Sequence, residues 1–242
     1  MSSPIGEAAP LSRTNRLLAA LPPGVMDALR PDLEMVLLPI GLVLEEVGLQ
    51  IRYIYFPHRG VVSMVMPLEN GSAVEVANVG PEGMVGMSVL LGANTGPVRA
   101  LVQVPGAATR IGVEAFRRAL DAEPALRHLL LRYVLVIVGL LARNVACQNA
   151  HRLEERCARW LLTMHDQVHQ NSYPITQEFL GLMLGVSRSS VSAAASKLQR
   201  AGLIRYVRGQ ITILDRSGLE AAACECYRVT KQRFEDLAGS GG

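Results

Sequence analysis

Residues 173–214, YPITQEFLGLMLGVSRSSVSAAASKLQRAGLIRYVRGQITIL, decide how this 242-residue chain is read. Thr176 can cap a first helix carrying Phe179, Leu180, Met183 and Leu184, with Glu178 well placed in its first turn. Gly185 permits the sharp turn between two crossed helices. Ser187 then caps a second helix, Arg188 to Arg200. At about 100° per residue, Val191, Ala194, Ala195 and Leu198 share one face, which packs on the first helix. Ser189, Ser192, Ala193, Ser196, Lys197 and Arg200 point the other way. Ala201-Gly202 ends the helix, and Leu203–Val207, the turn Arg208-Gly209 and Gln210–Leu214 read as a β-hairpin. Helix, turn, helix and hairpin make a winged helix-turn-helix.

From Thr176 to Leu214 five basic residues (Arg188, Lys197, Arg200, Arg205, Arg208) face one acidic residue, Glu178. A helix with small and cationic outward residues can lie deep in a major groove, its hydroxyls and N-terminal amides reaching phosphates. Thr176, Ser187, Arg188, Ser189, Ser190, Ser192, Lys197 and Arg208 are the candidate DNA-binding residues. The competing reading is a winged helix that docks a protein partner. The whole chain points the same way as the motif. Residues 1–123 hold nine basic and twelve acidic side chains, whereas residues 124–242 hold fifteen and nine, within a net charge of +3. Only the second half has the balance of a polyanion binder.

Working outward, residues 14–30 read as two short helices split by Pro22-Pro23-Gly24. From Leu33 to Gly112 the texture changes to short β-type runs: MVLLP, GLVLEE, IRYIYFP, GVVSMVMPL, SAVEVANV, VRALVQV and TRIGV. Turn signals separate them, including Pro57-His58-Arg59-Gly60, Glu69-Asn70-Gly71, Gly80-Pro81-Glu82-Gly83 and Pro105-Gly106. Regular short strands predict an antiparallel barrel or sandwich. A short helix follows over Val113–Arg118.

A long helix is predicted from Pro124, at its favoured first position, to about Gln148. It is apolar on nearly every face between Leu129 and Ala142, so it must be covered all round. A central core helix and a helix shared with a symmetry mate both satisfy that pattern. Its most apolar run, Tyr133–Ala142, is half of the roughly twenty residues a membrane span needs. A further helix covers Leu153–His169, with Leu153, Cys157, Trp160, Leu161 and Met164 at helical spacing. The N-terminal MSSPIGEAAP lacks the pattern of a secretory signal, and the Gly-Ser-Gly-Gly end should fray. Four cysteines without a CxxC pair fit reduced thiols and a cytoplasmic location with no membrane partner.

The chain resembles the Crp/Fnr transcriptional regulators over about residues 15–237. The most specific part is Thr176-Gln177-Glu178-Phe179-Leu180 through Gly185-Val186-Ser187-Arg188-Ser189-Ser190-Val191. The resemblance implies an α+β fold: an N-terminal antiparallel β-roll of jelly-roll type over 1–123, a dimerisation helix over 124–150, and a C-terminal winged helix-turn-helix over 151–242. It implies a homodimer on palindromic double-stranded DNA, with RNA polymerase as a further candidate partner. It assigns the long helix to the dimer seam, through Val134, Leu135, Val138, Leu141 and Val145. It also places an effector pocket between the Gly83–Gly92 loop and the seam helix, with Gly86, Met87, Ser88, Arg99 and Leu141 as candidates. The seam helix and the junction Asn149-Ala150-His151-Arg152 are then the covalent route between the halves.

Departures from the family pattern are equally informative. Members that bind cyclic nucleotides have a Gly-Glu pair and, further on, an Arg-Ser pair. Here Met87 follows Gly86, and Arg99 is followed by Ala100. A buried ribose needs a polar acceptor, so cyclic AMP is not supported. An iron–sulfur cluster held by N-terminal cysteines is not supported either, because the first cysteine is Cys147. Ser189 and Ala193 stand where readers of TGTGA half-sites carry Glu and Arg, so the operator differs.

Other signals are set aside. His165 and His169 have metal-ligand spacing without a surrounding motif, and a solvated helix face explains them. Cys224 and Cys226, two apart on a helix, would point about 200° from each other and could not share a metal. Ser217-Gly218-Leu219-Glu220 reads as a capping box opening the last helix. No nucleophile and base stand in motif context, so no enzyme is predicted and no cofactor assigned.

Overall fold

The computed structural model describes residues 15–69, 71 and 73–239. Thr14, Asn70, Ser72, the N-terminal MSSPIGEAAP and the Ser-Gly-Gly end lie outside the described residues.

The described residues begin with two short helices, α1 (Arg16–Ala19) and α2 (Pro23–Leu29), divided by prolines as the sequence predicts. Strands β1 (Leu33–Leu38), β2 (Val43–Glu45), β3 (Tyr53–Pro67), β4 (Ala73–Val79) and β5 (Arg99–Gly112) follow, with α3 (Met87–Leu90) between the last two. They form one antiparallel sheet in the order β1-β5-β3-β4, with β2 also on β5.

Two predicted turns are not turns. Strand β3 runs straight through Pro57-His58-Arg59-Gly60, and β5 through Pro105-Gly106. These segments face each other across the pair. A Cβ at Gly106 would lie 2.0 Å from the Arg59 carbonyl oxygen, and one at Gly60 2.5 Å from that of Val104. The glycines are there because two backbones touch, and the register shifts between Pro57 and Val62 mark the bulges that let them.

Helix α4 (Val113–Ala122) leads to α5 (Pro124–Ala150) and α6 (Leu153–Val168). Then come β6 (Ser172–Pro174), α7 (Gln177–Leu184), α8 (Arg188–Arg200), β7 (Ile204–Val207) and β8 (Gln210–Ile213). The hairpin gains a third strand that the sequence did not announce, giving the order β6-β8-β7. The chain closes with α9 (Arg216–Ala222) and α10 (Cys226–Gly239).

The expected capping box at Ser217 is displaced. Asp215 caps α9, its Oδ1 accepting from Gly218 N at 2.9 Å, while Glu220 is drawn into an ion pair with Arg216. Asp and Ser cap about equally well, but here the Ser217 hydroxyl itself donates to Asp215 Oδ1 at 2.8 Å.

The chain builds two main apolar cores. One fills the roll and takes in Leu126, Leu129, Leu130, Tyr133, Ile137 and Leu140 of α5 and Leu237 of α10. The other fills the winged helix around Trp160, Leu161, Leu180, Val191 and Leu198, and recruits Val61 and Val104 from the roll. The halves are therefore packed on each other.

Helix α5 has 27 residues, and its best 18-residue window has a mean hydropathy of 1.9, long and apolar enough by composition to cross a membrane. Arg132 and Arg143, which bound the ten-residue apolar run Tyr133–Ala142, lie inside this helix, so that run understates its apolar length. One side of α5 packs on the roll. The other exposes Leu131, Leu135, Val138, Ala142 and Val145 at successive spacings of four and three residues. That is the 3.5-residue repeat of a helix seam.

Candidate nucleic-acid interface

Local chemistry fixes α7 and α8 as the sequence predicts. Thr176 Oγ1 accepts from Phe179 N at 3.1 Å, and Ser187 Oγ from Ser190 N at 3.3 Å. Gly185 takes φ +65°, the left-handed conformation that a sharp turn needs. Gly181 is also required, since a Cβ there would lie 2.8 Å from the Val186 carbonyl oxygen. Val191, Ala194, Ala195 and Leu198 are buried against the core, while Ser189, Ala193, Lys197 and Arg200 are exposed.

The turn is also held from behind. The buried Arg156 guanidinium donates to the Leu184 carbonyl at the end of α7 and to Gln148 of α5. Its charge meets the negative end of the α7 dipole. Sequence reading missed Arg156, because nothing local distinguishes a buried arginine from the solvated ones around it.

Thr176, Arg188 and Arg208 border one open cleft between the start of α8 and the wing, together with Gln177, Glu178 and Tyr206. Among the described residues neither Arg188 nor Arg208 takes part in an ion pair. Arg208 and Gly209 both have positive φ, 49° and 75°, so the wing tip is a type I′ turn with the arginine exposed at its apex. Of the other candidates, Ser187, Ser189 and Ser190 cluster at the α8 start, with hydroxyls 2.9 Å from one another through Ser187. Ser192 lies one turn on, within 3.5 Å of Gln177 Nε2. Lys197 pairs with Glu154 of α6, and this contact holds the Glu154 carboxyl below its usual range.

The effector candidates are more dispersed. Gly86 takes φ +95° and packs closely on Ile54, while Met87 and Leu141 lie half-buried against the roll core. Ser88 sits beside Met87 on α3. Arg99 is on the surface, ion-paired with Glu46 at 2.8 Å. A cavity of about 330 Å³ opens elsewhere, between β4, α5, α6 and α10, and none of these five residues borders it. Glu75, Asn78, Asn144, Arg159 and Gln167 do. Glu75 Oε1 accepts from Trp160 Nε1 at 3.0 Å, and the Ser63 hydroxyl also faces the carboxyl. Burial raises that carboxyl to about 7.

Of the five seam candidates, Leu135, Val138 and Val145 are 70%, 55% and 65% exposed, whereas Val134 and Leu141 flank the stripe half-buried. Leu131 and Ala142 belong to the stripe and were not singled out, because a run apolar on every face hides its register.

The expectation for Cys224 and Cys226 is overturned. The helix breaks between α9 and α10, with Ala223 extended at φ −82°, ψ 152°. Cys224 lies in that break and Cys226 opens α10, so helical angles do not apply between them. Both side chains meet Cys147 near the end of α5.

The pattern of the Crp-like helix-turn-helix domain matches residues 155–222. No curated protein matches the chain in sequence. Among solved structures, the chain is similar to a putative Crp/Fnr-family transcriptional regulator from Eubacterium rectale, at 17% identity and a TM-score of 0.68, covering 85% of this chain and 96% of that one. FixK2 from Bradyrhizobium japonicum gives 16% and 0.68, over 79% of this chain and 98% of its own. A regulator from Xanthomonas campestris described as c-di-GMP responsive gives 14% and 0.65, over 78% and 98%. At these identities the likeness is one of fold.

Proposed function

We propose that this chain, which has a Crp-like helix-turn-helix domain on the fold of the Crp/Fnr transcriptional regulators, is a sequence-specific DNA-binding regulator that works as a homodimer on an inverted-repeat operator. The observation that carries this reading is the cleft where Thr176, Arg188 and Arg208 converge from α7, α8 and the wing. Two guanidiniums with no ion-pair partner among the described residues can reach base edges and phosphates together. The dimer is supported by the exposed heptad stripe on α5, which leaves four large apolar side chains uncovered in one chain.

We assign the roll an effector other than cyclic AMP, or none. Met87 offers no acceptor for a ribose, and the Arg99 guanidinium is already held by Glu46. The fold accommodates other ligands, as the c-di-GMP responsive regulator from Xanthomonas campestris illustrates.

Selection of bound sequences from random DNA with the purified protein tests the reading. Inverted repeats with half-sites about 10–10.5 base pairs apart are expected. Arg188→Ala should weaken binding by about 1–3 kcal/mol and relax specificity at one position of each half-site. Selection that enriches no motif would favour a winged helix that docks protein, whereas an Arg188→Ala protein that binds DNA as tightly as the parent would remove Arg188 from the contact.

A further inference from the structure

Beyond Leu140, the only buried residue of α5 is Cys147. It does not join either large core. It forms a separate cluster with Cys224 and Cys226, three cysteines with no aliphatic partner among them. One turn after Cys147, His151 brings its imidazole to the same point, so that one ligand atom from each of the four residues lies within 4.8 Å of the other three.

We propose that Cys147, His151, Cys224 and Cys226 form a tetrahedral Cys3His site for a zinc-type divalent ion. Two of the six ligand pairs already have the spacing that the ion sets. With Zn–S about 2.3 Å and Zn–N about 2.0–2.1 Å, neighbouring ligands of a tetrahedral zinc lie about 3.5–3.8 Å apart. Here Cys147 Sγ and Cys224 Sγ are 3.6 Å apart, and Cys226 Sγ and His151 Nδ1 3.8 Å. A second, independent observation concerns the other imidazole nitrogen. His151 Nε2 lies 3.0 Å from a Glu225 carboxylate oxygen, so a proton on Nε2 leaves Nδ1 with its lone pair facing the sulfurs. That arrangement is the usual outer partner of a zinc-bound histidine. Three thiolates around a dication leave one net negative charge. Arg156 and Arg159 lie close enough to Cys147 to interact with that charge. A disulfide between Cys147 and Cys224 would use two of the four groups and leave Cys226, His151 and Glu225 unexplained.

The ligands come from two places far apart in sequence. Cys147 and His151 stand at the end of α5, and Cys224 and Cys226 at the break between α9 and α10. One ion would therefore fasten the last helices of the winged domain to the seam helix, beside the junction where α5 hands over to α6. Any consequence for operator affinity rests on the function proposed above. Metal content does not, and it is measured without DNA.

Purified full-length protein should hold about one zinc per chain by elemental analysis. Cys147→Ser and Cys224→Ser should lose it, and Cys157→Ser, whose thiol is buried in the winged-helix core, should keep it. Should the serine variants fail to fold, the parent decides: metal-stripped protein titrated with Co2+ should show thiolate-to-cobalt charge transfer and tetrahedral ligand-field absorption. Glu225→Gln, on an exposed side chain, should weaken Zn2+ binding 10–100-fold in competition with a chromogenic chelator. Folded parent protein without zinc and without a cobalt spectrum would overturn the proposal. So would iron with inorganic sulfide in place of zinc, or a Cys147–Cys224 disulfide seen as a loss of two hydrogens by mass.

Discussion

The two ends of α5 are held in opposite ways. From Leu126 to Leu140 the helix buries Leu126, Leu129, Leu130, Tyr133, Ile137 and Leu140 in the roll, and Tyr133 adds a bond between its hydroxyl and the Met84 backbone. From Leu141 to Ala150 the grip is polar and sulfurous. Asn144 Nδ2 donates to the Val76 carbonyl, its Oδ1 accepts from Arg159, and the cysteine cluster closes the end. Beside it, Glu75 of β4 meets Trp160 of α6 across the boundary between the roll and the winged helix. Apolar burial is indifferent to pH and metal, whereas carboxyls, thiols and imidazoles respond to both. The upper half of α5 is built to stay, and the lower half is built from groups that can be changed.

The exposed stripe spans both halves, so breaking it should have the largest effect. Leu135→Asp puts an uncompensated carboxylate in each copy of the seam. Sedimentation should then find monomers, and operator binding should fall about a hundredfold or more; a persistent dimer would mean that the stripe covers something else. Within the upper half, Leu130→Ala should cost about 2–5 kcal/mol in urea unfolding, with the folded fraction still dimeric. A cost under about 1 kcal/mol would show that this end is not the firm one.

The lower half predicts a pH signature. Glu75 is raised to about 7 in the folded protein by burial of its carboxyl, from an ordinary value of 4.5. A raised carboxyl favours the folded state when protonated, so its contribution is complete below pH 4.5 and is lost as pH rises to about 7. That loss is on the order of 3 kcal/mol. Glu45 is also raised to about 7 by burial and falls in the same window. Glu75→Gln should therefore flatten the fall in stability between pH 5 and 7.5 without abolishing it. Parallel stability curves for parent and variant would break the contrast between the two ends.

The winged helix was legible because its signals are local. Thr176, Gly185 and Ser187 do their work within three or four residues, and α7, α8 and the hairpin stand where those residues put them. The roll was legible in class but not in strand count. Gly60 and Gly106 read as turn residues, although each is there for the other, across a pairing no window of sequence contains. The cysteine cluster was hidden for a related reason. Ala221-Ala222-Ala223 favours helix, and only tertiary position breaks it so that Cys224 can face Cys147. The exposed stripe on α5 was half legible. Its residues were plainly apolar, but the stripe appears only once the roll has claimed the opposite face.

The pairing of β3 with β5 has a consequence in time. Its partners run from Val65 with Arg99 to Tyr53 with Gly112, so each rung closes a loop of several dozen residues. The hairpin β7–β8 closes across two, Arg208 and Gly209. Chains dominated by distant contacts fold orders of magnitude more slowly than those dominated by near ones. In a refolding experiment the winged helix should therefore mature first and wait for the roll. On the ribosome the order of emergence is reversed, and the slower half is given the head start.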